Sequence, residues 1–511
     1  MEFDPLGSKK SEILEGFGSC FSKQLVVDVE SCPCRCRFIT DLPPALISEI
    51  LEFLEPKELS VVSCVSTGLN RLASENRVWK EAYCERWGLP VASPGIDGRS
   101  WKELFVEREF QSGSFLGRYR VEALYGHTEA VRAVCLLAPA KLVFSSGYDS
   151  VVRMWNVDGG YLIASSRPLK CTVRAIAADT KLLIAGGTDG FIQGWRAVDG
   201  MPHLFNLNGL EEDGMRFRLW EHEGPITSLA LDSAKIYSGS WDMTVRVWDR
   251  TSLKCMQIFR HSDWVWALVP HEYTIVSTSG SDVYIWNATS GDLLTVISNA
   301  HAGNTHALAR CRSGSFLFTG GEDGAIHMFE IVNHGPRINY SKVATWSPHT
   351  GPVYSLAFEF PWLVSASSDG KLSLIDVRKL IRRRRQSLRK VTTRAKDAAD
   401  SVVKAPQRML HGFSPNLFSV DIGADRIICG GEGGTVRMWD FSEALEIERR
   451  ALAMRAIRME NRMQRQKLQL EMGTKGGRAD QCSLAAKLIP VHRERNGVCP
   501  RKRGMSGKLR A

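Results

Sequence analysis

The sequence predicts an all-β ring of seven four-stranded blades, a β-propeller, preceded by a small all-α domain. Three observations predict it. An internal repeat of roughly 40 residues runs from about Gly126 to Asp440, a period that marks four short strands per blade. In five of the seven units an Asp stands six residues before the closing residue: Asp149, Asp189, Asp242, Asp323 and Asp369. Upstream, apolar residues between Leu42 and Trp79 recur at helical spacing.

Residues 1–38 are expected to be a disordered N-terminal segment. Between 39 and 88, Ile47, Ile50, Leu51 and Leu54 share one helical face, with Pro43 and Pro44 suited to a helix start and Asp41 to its cap. Pro56-Lys57-Glu58-Leu59 restarts a helix that shows Leu59, Val62 and Val65. A third segment carries Leu69 and Leu72 and ends near Trp79. About fifty residues is too little for an independent core, so the surplus apolar face is expected to meet a partner. Residues 89–117 read as a helical linker, in which Ser100-Trp101 through Phe110 forms a stiff connection to the ring.

The ring itself is expected over 118–441. Its closing positions are Trp155, Trp195, Trp248, Trp286, Phe329, Ile375 and Trp439. His127, His222, His261 and His349 stand at unit openings, with His301 and His411 at less regular ones. In the clearest units, His127, Ser145, Asp149 and Trp155, and likewise His222, Ser238, Asp242 and Trp248, can satisfy one another as buried polar groups. A Ser-His-Asp set also suggests a hydrolase triad. An active site would not be copied from blade to blade at constant spacing, so the sets are read as structural and no catalytic residue is assigned. The repeats resemble those of WD-repeat propellers, and in that family the last strand of a blade follows its closing Trp, which implies that the seventh blade is one strand short. Arg118 to Tyr125 has strand composition and no blade of its own, so it is expected to supply the missing strand and remove an unpaired edge.

Between the sixth and seventh blades, residues 378–408 hold twelve Lys/Arg against Asp397 and Asp400, about the whole net charge of +10. This stretch reads as a solvated inserted loop, with Arg382-Arg383-Arg384-Arg385 as a nuclear import signal or a contact for acidic partners. Residues 442–473 form a charged helix capped by Ser442. Its partial stripe (Leu445, Leu452, Ile457, Met459, Met463) suits either packing along the propeller or a coiled coil. Residues 474–511 read as a basic disordered tail.

The upstream pattern of Leu42-Pro43, Ile50-Leu51 and Leu54, then Leu59 with Val62-Ser63-Cys64-Val65-Ser66, then Trp79, resembles the F-box. Ala45 stands where that family usually has an acidic residue, and Ser66 and Leu69 where it usually has Cys and Trp. With the repeats downstream, which match a WD-repeat propeller, the chain is similar to F-box/WD-repeat proteins of the plant type. That resemblance implies a non-catalytic substrate receptor of a Skp–cullin–F-box (SCF) ubiquitin ligase. A Skp-type adaptor, and through it a cullin, would dock on Leu42, Pro43, Ile47, Ile50, Leu51, Leu59, Val62 and Val65. The family commonly binds partners at the narrow top of the ring, which by position holds Arg132, Tyr148, Arg174, Trp241, Trp264, Trp266, His306, Tyr354 and Phe418. Trp, Tyr and Arg at a concave rim are the usual makings of a binding hot spot. The alternative, that several of these rings pack inside their own blades, stays open. So does a non-degradative scaffold or chromatin-associated interaction module.

Composition fits. Thirteen scattered cysteines, several inside strands, suggest reduced thiols in an intracellular protein of nucleus or cytoplasm. Cys32-Pro33-Cys34-Arg35-Cys36 is too tightly spaced for a usual zinc site, so no metal and no cofactor are assigned. No signal peptide or membrane-spanning run is expected, and neither a membrane nor a nucleic-acid partner is assigned.

Overall fold

A computed structural model describes residue 39 and residues 42–90, 99–198, 200, 203–208, 215–334, 337–381 and 403–474. The expected disordered segment 1–38, the Cys32–Cys36 run, Arg382–Arg385 and the tail from 475 lie outside the described residues. The chain forms two compact units, Met1–Leu445 and Glu446–Ala511, and each is described by itself.

Seven antiparallel sheets make the ring. In the first six blades the innermost strands are Val131–Leu137, Val173–Ala178, Ile226–Leu231, Val265–His271, Thr305–Arg310 and Val353–Glu359, and in the seventh Leu417–Ile422. The second strand of each blade is buried on both faces (Leu142–Gly147, Leu182–Gly187 and Trp362–Ser367 throughout), because a neighbouring blade covers each. Seven hydrophobic clusters result, one at each junction between adjacent blades. The closing junction sets Val131, Val143 and Trp155 of the first blade against Ile428, Val436 and Met438 of the seventh.

The segment before the first repeat supplies the missing strand, as its composition suggested. Arg120–Tyr125 pairs antiparallel with Thr435–Asp440, from Arg120 opposite Asp440 to Tyr125 opposite Thr435. Leu124 is buried in the closing junction.

Among the described residues five α-helices precede or support the ring: α1 (Pro44–Glu52), α2 (Pro56–Val62), α3 (Thr67–Ala73), α4 (Asn76–Trp87) and α5 (Trp101–Gln111). Pro43, not Asp41, occupies the N-cap of α1, with Pro44 at the first turn. A capping box between Glu55 and Glu58 starts α2. The core of this helical group is Ile47, Leu51, Leu59 and Leu69 around Trp79, Trp87 and Phe105. Thus α5 is more than a connection. Its Phe105 completes the helical core, while Phe115 just beyond it enters the core between blades six and seven.

The helical group sits on blade six. The Trp87 indole donates to the Phe360 carbonyl at 2.8 Å, the Trp362 indole donates to the Ser112 carbonyl at 2.6 Å, and Arg108 pairs with Glu359. These contacts lie at the C-terminal end of Val353–Glu359, whereas Tyr354 stands at its N-terminal end. The helical group and the ring of top residues therefore occupy opposite ends of the same strand.

The inserted loop is shorter than 378–408. Arg378 pairs with Asp376 at 2.7 Å and Glu109 at 3.6 Å, and Ile381 packs in the core between blades five and six. Val403–Lys404 adds a parallel fifth strand to blade five, beside Thr345 and Trp346. Arg408–His411 is the outer strand of blade six, and the Arg408 guanidinium donates to the carbonyls of Phe115 at 2.8 Å and Gly117 at 2.7 Å. Charge alone hid these ends, because their basic residues satisfy carbonyls and carboxylates and do not face only water.

Helix α6 (Ser442–Thr474) follows the ring. Ser442 lies inside it, and Asp440 accepts the Ser442 backbone N–H at 2.8 Å, so the first-turn contact comes from the strand end and not from Ser442. Among the described residues no helix is long and apolar enough to cross a membrane.

Candidate functional site

Each innermost strand carries a register shift just after its first residue. A bulge re-aims the side chain it displaces. Here the displaced residues are Arg132, Arg174, Thr227, Trp266, His306, Tyr354 and Phe418, so one bulge per blade builds one ring of side chains. A cavity of about 440 Å³ lies within it.

These side chains touch in sequence around the ring. Trp266 meets His306 edge-on at 4.5 Å, His306 meets Tyr354 at 5.5 Å, and Tyr354 meets Phe418 at 5.7 Å between ring centroids. The Arg132 guanidinium lies 4.1 Å over Phe418, and that of Arg174 lies 4.3 Å over Trp241. Trp241 stacks on Trp264 at 5.0 Å and meets Trp266 at 5.7 Å. Tyr148 is 5.9 Å from the Arg132 guanidinium. All nine positions named from the sequence thus join one connected surface. The rings pack on one another across blades, and Tyr148 and Trp264 remain exposed. Thr227 was missed, since a small hydroxyl gives no hot-spot signal. Its hydroxyl is hydrogen-bonded to the Val265 carbonyl at 2.7 Å, which fixes the entry to blade four.

Electrostatically the two arginines set this site apart. Neither forms an ion pair among the described residues. Burial lowers the Arg132 guanidinium from its ordinary range, and burial followed by the nearby Arg132 charge brings Arg174 down to about 10. Both remain charged at neutral pH, stacked on aromatic faces without a carboxylate. Burial also pushes the Asp421 carboxyl, which lines the same cavity, up to about 6, against the Leu136 and Ile422 N–H groups that bind it. The indole N–H groups of Trp241 and Trp266 have no partner among the described residues. The surface thus presents two guanidinium groups and flat aromatic faces, while the two indole N–H groups are buried within it.

On the helical group, the residues named for an adaptor separate into two sets. Ile47, Leu51 and Leu59 are core residues, at 4%, 3% and 1% exposure, and Val62 is partly covered. The assignment of Ile47, Leu51 and Leu59 to the adaptor face is therefore corrected: α4 and α5, with Trp79 and Phe105, already cover them. Leu42, Pro43, Ile50 and Val65 are exposed, together with Leu46 and Val61, which the sequence reading omitted. Leu46 and Ile50, four residues apart, share one face of α1, and Leu42 stands four residues ahead of Leu46, just before the helix.

The structural sets also take shape. The Trp155 indole donates to Ser145 Oγ at 2.7 Å, and His127 bridges Ser145 at 2.7 Å and Asp149 at 2.8 Å. Trp248, Ser238, His222 and Asp242 repeat this with distances of 2.9, 2.7 and 2.6 Å. Burial alone would raise the Asp149 and Asp242 carboxyls, but the hydrogen bonds from His127 and His222 prevail and hold each at about 2. His301 joins Thr319 and Asp323 in the same way, whereas His411 does not: its Nδ1 accepts the Phe413 backbone N–H. His301, Asp323 and His327 also cluster closely enough to hold a metal. The Lys342 ammonium 3.3 Å from His327 Nε2 already places a cation there, and both nitrogens of His301 are engaged, so the group fits a structural network better than a metal centre.

Blade four lacks the Asp, and burial lowers His261 to about 4 from an ordinary 6.5. A depressed pKa contributes stability that is present above 6.5 and lost as pH falls toward 4. We expect the melting temperature to fall between pH 7 and 5, at up to about 1.4 kcal/mol per pH unit for this group. Melting curves of wild type and His261→Gln test it: the variant should be less stable at pH 7 but show a shallower slope, and an unchanged slope would exclude His261 as the source.

Comparison with known proteins agrees with this architecture. The F-box-like family matches residues 39–85, and the WD domain, G-beta repeat family matches residues 118–156, 215–249 and 340–376. An F-box/WD-40 repeat-containing protein of Arabidopsis thaliana is 61% identical over 495 residues, covering 96% of this chain and 90% of that one. A CCR4-associated factor 4 homolog of Vanderwaltozyma polyspora is 26% identical over 266 residues, covering 47% of this chain and only 40% of that protein's length. The solved WD40 propeller domain of Doa1 superposes with a TM-score of 0.50 at 20% identity, covering 63% of this chain and 97% of that one, a likeness of fold alone.

Proposed function

Because the chain belongs to the family of F-box/WD-40 repeat-containing proteins, we propose that it is the substrate receptor of a cullin-type ubiquitin ligase. In this reading the exposed stripe on α1 docks a Skp-type adaptor, and the arginine–aromatic ring holds the target protein. The observation that carries it is the placement of an unsatisfied apolar stripe and an unsatisfied cationic ring on one rigid unit, at opposite ends of the blade-six inner strand. Work is done by proximity: holding the target near a ubiquitin-charged enzyme raises effective concentration and asks no chemistry of this chain.

For the target, Arg132 and Arg174 favour an acidic or phosphorylated segment, since charge-assisted bidentate pairs are among the stronger polar contacts. Each lost pair is worth about 1.5–3 kcal/mol. Arg132→Glu/Arg174→Glu is therefore expected to weaken target binding by more than about a hundredfold. Raising salt should weaken the wild type as well. Target pull-down with this variant beside Trp266→Ala, at low and high salt, is the test. Binding lost only in the Trp variant, with no salt dependence, would assign recognition to apolar anchoring and overturn the acidic reading.

A further inference from the structure

Blade two breaks the pattern of its neighbours. Where blades one and three have Ser145 and Ser238 beneath the closing Trp, blade two has Ala185, and the Trp195 indole N–H is fully buried without a partner among the described residues. Its opening histidine is also missing. A Cβ added to Gly321 of blade five would strike the His301 ring at 2.3 Å, and one added to the equivalent Gly187 would strike Cys171 Sγ at 2.3 Å. The thiol thus stands where the His301 ring stands in blade five. Being smaller, it leaves a recess of about 600 Å³ that opens to the surface.

The walls of this recess have a definite chemistry. Pro168, Leu169 and Phe191 line it, and Arg167, Lys170 and Arg218 surround it, against one carboxylate among the described residues, Asp189, which Arg218 already pairs at 3.0 Å. Burial, then the Asp189 charge, raises the Cys171 thiol to about 12, so it contributes a neutral S–H. Outward, the Arg218 guanidinium lies 3.5 Å over Phe191, and Phe191 stacks at 5.3 Å on Trp220, which is 67% exposed. Phe191 faces Trp220 and Gln193 faces Arg218 in the strand register, so recess and aromatic shelf share one face of the outer strand Arg216–Trp220. Among the described residues that strand is the open edge of its sheet. The same edge in blade five is covered by the added strand Val403–Lys404.

The geometry points to a second docking site on the flank of blade two, which takes an extended acidic peptide segment of a partner protein. A carboxylate side chain enters the recess beside Arg167 and Lys170, the segment's backbone runs along Arg216–Trp220, and an apolar neighbour rests on Trp220. An extended segment is favoured over a free small carboxylate because the exposed shelf and open edge extend beyond the recess, where a small molecule would leave them unused.

The test uses the full chain carrying Arg132→Glu/Arg174→Glu, so that the top ring does not contribute and failure of the target-site reading leaves the result intact. The probe is a fluorescent peptide of alternating Glu and Val, compared with its Gln counterpart and with free glutarate. The Glu peptide should bind, the Gln peptide should not, and glutarate should compete only weakly. Adding Arg167→Glu/Lys170→Glu, both exposed positions, should weaken binding at least about tenfold without lowering the melting temperature, and Trp220→Ala should weaken it as well. No binding of the Glu peptide, or binding unchanged by these substitutions, would overturn the site. Glutarate binding as tightly as the peptide would overturn the assignment to a protein segment.

Discussion

Deleting residues 118–125 is expected to abolish soluble, cooperatively folding protein or to lower its melting temperature by at least about 10 °C. Six residues of this segment pair with the last strand of blade seven, and Leu124 is buried in the closing junction. Removing one buried Leu costs about 2–5 kcal/mol, and in a large domain each kcal/mol corresponds to about 2–4 °C. The deletion also uncovers Thr435–Asp440 as an open edge beside Val436 and Met438, the kind of strand that pairs with other chains. Size-exclusion chromatography and thermal melting read the result. A monomeric deletion variant with unchanged melting would mean that the ring closes by another contact.

The second large effect separates surface from core on the helical group. Leu46→Asp/Ile50→Asp should leave the fold intact, because both side chains are exposed at more than 40%. Adaptor binding should fall more than about a hundredfold, since each exposed Leu or Ile gives up about 1.5–3 kcal/mol of burial and a charge is set against the partner's apolar face. Leu51→Asp should behave oppositely. At 3% exposure within the core of Trp79 and Phe105, a carboxylate there costs several kcal/mol and should unfold the helical group. Circular dichroism with adaptor pull-down distinguishes the two. Normal folding of Leu51→Asp with selective loss of the adaptor would return Leu51 to the binding face.

Much of the ring was legible because repetition multiplies a weak signal. No single turn Asp or closing Trp identifies a blade, but five of each at matching places in seven evenly spaced units do, and the same register named nine of the residues that meet on the top surface. Thr227 escaped because position alone, without a distinctive side chain, marked it. The helical group was legible as to its existence but not its interior. Asn76–Trp87 mixes Trp79 and Trp87 with Lys80, Glu81 and Arg86, so its spacing does not announce a helix whose aromatics cover Leu51 and Leu59. The basic insertion misled for a related reason: Arg378 and Arg408 look solvated in sequence, yet each is held by acceptors more than a hundred residues away, Glu109 for one and Phe115 and Gly117 for the other. The flank of blade two could not be foreseen from what is present there, since it arises from a missing histidine and a missing serine.

Whether this chain joins a ligase to a target is tested most directly by affinity purification of the intact protein beside Leu46→Asp/Ile50→Asp. The wild type should retain a Skp-type adaptor and a cullin together, in comparable amounts, and the variant should retain neither. Recovery of the adaptor without cullin, or equal recovery of both by the variant, would contradict that role.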